Sequence, residues 1–241
     1  MKEYNLEGFE RGLAELGIAL SEEQKTQFLQ YYALLVEWNS FMNLTAITEF
    51  DQVITKHFLD SLSLVKVCDV AQAGRILDVG TGAGFPGIPL KIAFPEVEVV
   101  LLDSLNKRVK FLNEVIGQLG LSKITAIHGR AEDFARQKEY REQFDLVVSR
   151  AVANLSSLSE YCLPYVKVGG RFVSYKSGKL SEELTAAGKA IHVLGGEAKE
   201  PVYFQLTGTE DERSFVCIEK GKATPKKYPR KAGTPAKEPI Q

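Results

Sequence analysis

Over roughly the first 70 residues the apolar side chains recur at helical spacing. Leu6, Phe9, Leu13 and Leu16 fall three or four positions apart, which gives a short helix one apolar face. Ser21 with Gln24 three residues on is a capping-box signature, and it opens a second helix carrying Phe28, Tyr31, Tyr32, Leu35 and Trp38. Asn39 and Asn43 lie in a turn-rich link, after which the run KHFLDSLSLV predicts a further helical stretch.

From residue 75 the period changes. Short β-rich runs at 75–80, 97–103, 123–129, 144–150 and 170–176 read as strands, and helical intervals between them open near Pro86, Ser104, Ala131 and Asn154. That alternation predicts an α/β fold with a largely parallel sheet. After a helix around SEELTAAGKAIHVLG, the runs VYFQL and RSFVCIEKG are separated only by TGTEDE, which predicts an antiparallel hairpin closing the sheet. The expected organisation is an N-terminal helical region packed on the core (1–70), a sheet domain (71–220) and a C-terminal segment (221–241).

Composition adds limits. With 44% hydrophobic and 25% charged residues the chain has the make-up of a globular protein, which excludes a disordered or collagen-like one. Cys68, Cys162 and Cys217 are far apart with no CxxC pair, so each is expected to act as a small core hydrophobe; neither a disulfide framework nor a metal site is predicted. The opening residues lack the apolar stretch of a signal peptide and no long apolar run spans a membrane, so a reducing cytoplasm is the expected compartment. The formal net charge of -1 is an average over unlike parts. Residues 220–241 hold seven basic residues, one acid and four prolines, a charge of +6 that leaves -7 on the remainder. Such a segment has no core of its own and is expected to be a solvated tail or a docking arm. Any attraction to nucleic acid is then local, not spread over the whole surface.

The sharpest chemical signal is DVGTGAGFPGIPL, residues 78–90, between the first strand and the next helix. Gly82, Gly84 and Gly87 match GxGxxG and Gly80 adds a further glycine, a pattern that lets a ligand approach the backbone at a strand–turn–helix junction. Asp103 ends the second strand, where its carboxylate is placed to accept from both hydroxyls of a ribose. Together they imply an adenosine-containing cofactor, either NAD or S-adenosylmethionine. A helical region before the first strand, and Asp78 at that strand's end where a sulfonium and amino group would be attracted and a pyrophosphate repelled, favour S-adenosylmethionine. In GRAEDF, after the third strand, the amides of Ala131 and Glu132 are placed to read an adenine edge, while Arg150 ends the fourth strand where it meets a cofactor carboxylate or an acceptor phosphate. Phe85, Trp38 and Tyr228 are aromatic candidates for stacking an extruded base, with Trp38 favoured as a core residue. Lys56, His57 and Asp60 are candidates to border the acceptor, whereas His128 and His192 read as packing or surface residues. Arg108 and Lys110, beside Lys107, and the arm cations Lys226, Lys227, Arg230 and Lys231 are candidate RNA contacts. No Asn-Pro-Pro-Tyr motif and no cysteine placed to attack a pyrimidine is found.

Over Trp38 to Pro239 the chain resembles the bacterial small-subunit rRNA guanine-N7 methyltransferases, the RsmG or glucose-inhibited division protein B family. The resemblance lies in WNSFMNLTAI, KHFLDSL, DVGTGAGFPGIPL, DSLNKRVKFL, GRAED, SRAVA and YPRKAGTPAKEP. It implies a Rossmann-like class I methyltransferase sheet, S-adenosylmethionine as cofactor, and a guanine of small-subunit ribosomal RNA, free or in the subunit, as acceptor. It puts the cofactor against Gly80, Phe85, Asp103, Ser104, Ala131, Glu132 and Arg150; Gly82 of the glycine loop is expected beside them, and the chain is expected to be a monomer with no membrane partner. Guanine N7 offers a lone pair and carries no proton, so no catalytic general base is expected. The alternatives left by the residues alone are an NAD-dependent oxidoreductase using the same glycine loop and a non-catalytic RNA-binding protein.

Overall fold

A computed structural model describes residues 4–150, 152–178 and 180–241. Helices α1 (Glu7–Glu15) and α2 (Glu22–Met42) come first. Next, α3 (Phe50–Val53) runs through a π-helical turn, Ile54–Leu59, into α4 (Asp60–Leu62). The alternating part comprises β1 (Arg75–Val79), α5 (Gly87–Ala93), β2 (Glu98–Asp103), α6 (Asn106–Gln118), β3 (Ile124–His128) and α7 (Ala131–Phe134). It continues with β4 (Phe144–Arg150), α8 (Leu155–Cys162), β5 (Val166–Lys176) and α9 (Ser181–Val193). Strands β6 (Gly196–Ala198), β7 (Val202–Gln205) and β8 (Glu212–Lys220) precede the short α10 (Thr234–Lys237).

The strands form one sheet in the order β3-β2-β1-β4-β5-β8-β6, with β7 also paired to β8. Strands β1 to β5 are parallel; β8 runs antiparallel beside β5, Arg171 facing Glu219 and Lys176 facing Ser214. The β7–β8 hairpin forms as the sequence predicts, while β6 is an addition whose three residues carry no apolar signal.

Side chains alternate between two buried layers because a strand has a period of two. Ile76, Val99, Leu101 and Val148 face the layer containing Phe9, Phe28, Tyr31 and Phe111. Their neighbours Leu77, Val100 and Val147 face a second layer with Leu155, Leu158 and Ile191. Each fully buried aliphatic side chain contributes roughly 1.5–3 kcal/mol, so the doubly covered centre of the sheet is the most strongly held part of the molecule.

The N-terminal helices are joined to this core by specific bonds as well as by area. The capping box of α2 is formed: Gln24 N donates to Ser21 Oγ at 3.2 Å and Ser21 N to Gln24 Oε1 at 2.8 Å. The same Gln24 donates through Nε2 to Ile92 O at 2.7 Å, tying the start of α2 to the end of α5. Asp60, buried in α4, takes Arg150 Nη1 at 2.7 Å and Arg213 Nε at 2.9 Å, and so links the helical region to β4 and β8.

The C-terminal segment lies on the protein's own surface. Arg141 donates to Thr224 O at 2.7 Å and to Tyr228 O at 2.9 Å, and Arg136 donates to Pro229 O. The free solvated tail that its composition allows is therefore not what forms. Backbone carbonyls of the segment are taken by arginines from the region after α7, which gives a segment without a core of its own a surface to fold against.

Candidate active site

The loop after β1 is shaped from beneath by Asp78, whose side chain is fully buried. Its Oδ2 accepts from Thr81 Oγ1 at 2.7 Å and from Gly87 N at 2.9 Å, while Oδ1 has no hydrogen-bond partner among the described residues. Burial pushes this carboxyl up to about 7, against the opposing pull of those two bonds and of Arg150. Asp78 thus turns inward to brace the loop, and the first amide of α5 donates to it. The glycine at 87 is required by packing: a Cβ there would lie 2.2 Å from Leu101 Cδ2. At Gly80 the backbone is left-handed, φ 71°, and a Cβ would meet Val152 Cγ2 at 2.6 Å.

A cavity of about 290 Å³ opens at the carboxyl ends of β1 and β2, the crevice position for ligands of open α/β sheets. Gly80, Ser104, Ala131 and Glu132 line it, joined by Tyr161 and Val152. Asp103, 2% exposed, stands in the chain between two lining residues, Leu102 and Ser104. Its Oδ1 accepts from Leu105 N at 2.9 Å; its Oδ2 accepts from Gly82 N at 2.9 Å and from Arg108 Nη1 at 3.3 Å. The long Arg108 contact is the weakest of the three and the one a ribose hydroxyl can replace. Gly82 therefore acts by positioning Asp103.

A second cavity, about 520 Å³, lies at the ends of β4 and β5. Lys56, His57, Asp60, Arg150, Lys176 and Arg213 line it, so four cations converge there. Each is balanced: Lys56 pairs with Asp211 at 3.0 Å, Lys176 with Glu183 at 2.6 Å, and Arg150 and Arg213 with Asp60. The guanidinium of Arg150 also lies 5.1 Å from the Phe85 ring centroid, and the His57 ring stacks on the same Phe85 ring at 4.5 Å. Burial, and then the nearby Arg150 charge, push the His57 imidazole down to about 4.

The structure brings four of the predicted cofactor residues, Gly80, Ser104, Ala131 and Glu132, to one cavity, with Asp103 next in the chain to lining residues Leu102 and Ser104. Arg150 lies in the neighbouring cavity, and Phe85 is 5% exposed among Tyr31, Phe58 and His57, so its ring is packed away from any stacking base. Trp38 packs 5.6 Å from Phe111, in keeping with its core assignment. Lys107 donates to Met42 O at 3.1 Å, while Lys110, Lys226, Lys227 and Lys231 are exposed. Arg230 differs from them as a candidate RNA contact. It is bound to the buried Glu160, Nη2 to Oε2 at 2.7 Å and Nε to Oε1 at 3.0 Å, so its charge is already matched inside the protein. Sequence reading missed Tyr161 and Arg213. It also missed Gly233 and Ala236, which line the first cavity from the C-terminal segment. No local signal marked the last two: Glu160, which anchors their segment, stands in the run LSSLSEYC, where an acid reads as an ordinary helix charge.

A family model described as rRNA small subunit methyltransferase G matches residues 24–214. Curated relatives called ribosomal RNA small subunit methyltransferase G include one from Lachnoclostridium phytofermentans, 59% identical over 96% of both chains, and one from Desulforamulus reducens, 55% identical over 94% of both. Among solved structures, an O-methyltransferase from Bacillus cereus in complex with SAH superposes with a TM-score of 0.56 at 18% identity, covering 79% of this chain and 91% of that one. A putative O-methyltransferase from Klebsiella pneumoniae gives 0.54 at 16%, covering 80% and 90%. At those identities the likeness concerns the fold.

His57 and Asp78 carry opposite pH linkages in one window. Between about 4 and the ordinary histidine value near 6.5, the unfolded chain binds a proton at His57 that the folded chain does not, so stability from this group falls as pH drops. Asp78, with its folded value raised to about 7, loses stability as pH rises from about 4 to 7. A His57→Gln protein is therefore expected to gain stability relative to the parent as the pH is lowered from 6.5 to 5, measured by urea unfolding of both; parallel pH curves would contradict the assignment.

Proposed function

The chain belongs to the rRNA small subunit methyltransferase G family, and on that premise we propose that it transfers a methyl group from S-adenosylmethionine to N7 of a guanine in small-subunit ribosomal RNA. The observation that carries this reading is the pair of adjoining cavities on one edge of the sheet. One has glycine, serine and backbone amides beside an acid, which suits an adenosine; the other has converging cations, which suits a phosphate-bearing acceptor. Family membership favours methyl transfer over hydride transfer on the same glycine loop and over binding of RNA without catalysis.

The residues present fit the cofactor. Ala131 and Glu132 offer backbone amides to an adenine edge, Asp103 offers Oδ2 to a ribose hydroxyl in place of Arg108, and Gly80 leaves the strand end open for close approach. When bound, S-adenosylmethionine supplies an electrophilic methyl carbon on a sulfonium. The chain's own part is to hold and orient. N7 of guanine is a lone-pair acceptor, so no side chain has a proton to remove, and alignment of the reacting groups by the two cavities can lower the barrier by several kcal/mol. Arg150 lines the second cavity, held by Phe85 and Asp60, where it orients an anionic group of the acceptor. Lys226, Lys227 and Lys231, exposed on the C-terminal segment, support attraction of the RNA backbone.

The test of function is to map methylated guanines by mass spectrometry in small-subunit rRNA from cells with and without this protein; an unchanged pattern would refute the reading. Asp103→Ala is expected to weaken S-adenosylmethionine binding by about tenfold or more through loss of a charged acceptor, leaving the rate at saturating donor with an unaltered pH profile. Replacing Lys226, Lys227 and Lys231 together by Gln is expected to lessen the slope of log binding constant against log salt by about 2, as removal of three phosphate contacts requires. An unchanged slope would take these lysines out of the RNA interface.

A further inference from the structure

The segment 221–241 is bound to the cavity as well as to the body of the protein. Gly233 and Ala236 line the cavity together with Gly80 and Ala131. Gly233 N donates to Glu132 Oε1 at 2.7 Å, so a residue that borders the cavity is itself a hydrogen-bond anchor for the segment. Ser157 Oγ donates to Pro235 O at 2.7 Å. Just before this stretch, Arg230 grips Glu160 with three groups: backbone N to Oε1 at 2.6 Å, Nε to Oε1 at 3.0 Å and Nη2 to Oε2 at 2.7 Å. Glu160 is completely buried on α8, a position where an unmatched carboxylate is heavily penalised.

We propose that the C-terminal segment is a structural wall of the cofactor site, with Gly233 and Ala236 as contact residues for the adenosine portion and Arg230, Glu160 and Glu132 as the positioning residues that hold that wall. The inference rests on the cofactor reading given above and deepens it. Its physical content is a coupling. A ligand that fills the cavity touches Gly233 and Ala236 only while the segment is docked, so the ligand binds the docked state better than the undocked one. By linkage, whatever loosens the segment weakens the ligand, and the ligand tightens the segment by the same factor. The basic character of the segment then has two separate uses: Arg230 is turned inward to close the site, while Lys226, Lys227 and Lys231 face solvent.

The experiment uses the full chain and S-adenosylhomocysteine as the probe. Trypsin has exposed targets at Lys227 and Lys231, and the probe is expected to slow cleavage there while leaving cleavage at Lys138, on the surface beyond α7, at its original rate. Glu160→Gln is expected to speed cleavage at Lys231 and to weaken probe binding in calorimetry by about tenfold, a factor set by the share of docked protein. Ala236→Trp, at an exposed position, is expected to block the probe without lowering the melting temperature, which separates loss of the wall from loss of the fold. Probe binding to both variants at the parent's affinity, or unprotected cleavage at Lys231 in the presence of bound probe, would overturn the proposal alone. Failure of the parent chain to bind the probe would overturn the cofactor reading beneath it.

Discussion

The side chain of Asp78 fixes the loop on which both cavities depend. A carboxyl group with no exposure is stable there only because Thr81 and Gly87 donate to one of its oxygens, and those two bonds set the path of residues 81–87. That path determines what hangs from it. Ala83 O receives the hydroxyl of Tyr31, which brings the N-terminal helices onto the loop. Phe85 is turned beneath His57 and Arg150, which brings the acceptor-side cations beside the same loop. Gly80 and Gly82 emerge at the opposite edge, one as cavity lining and one as a donor to Asp103. A buried acid is thus the common support of a helical layer, an adenosine-shaped cavity and a cationic one.

Asp60 has the same part on the other side of the crevice. Two guanidiniums from β4 and β8 meet on a carboxylate from α4, so the ends of strands distant in the chain are held at a set separation. The converging cations are consequently matched in the free protein and need no counter-ions from solvent. An incoming phosphate exchanges partners with carboxylates already in place, which gives orientation and selectivity more than raw affinity. This agrees with the charge pattern of the chain, acidic over the body and basic at its C-terminal segment.

The central strands were legible because burial on both faces leaves continuous Val, Ile and Leu runs, and α2 was legible because Ser21 and Gln24 cap it. The glycine loop could be located but its bonding could not: that Asp78 faces inward depends on Thr81 and Gly87 both donating to one oxygen of a buried carboxyl group. Arg150 stands at the end of β4 as its position predicts, yet its surroundings are decided by Asp60, 90 residues earlier in the chain. The docking of the C-terminal segment was hidden for the same reason. Its partners Arg136, Arg141 and Glu160 look like ordinary surface charges until the fold brings them beneath it. Composition described the segment correctly as coreless, and the body of the protein supplies what it lacks.

The three cysteines show a practical side of this close packing. Cys162 has no exposure and burial holds its thiol well above the ordinary range; Cys68 is pushed up to about 12 and Cys217 is raised as well. Since the thiolate is the reactive species, all three are poor nucleophiles near neutral pH. The native thiols, one buried and two partly exposed, are therefore expected to react slowly with maleimide near neutral pH. A Lys231→Cys protein would carry one readily labelled sulfur, on the outer side of the docked segment, and a fluorophore there would report the opening and closing of that segment in real time without any native residue having to be removed.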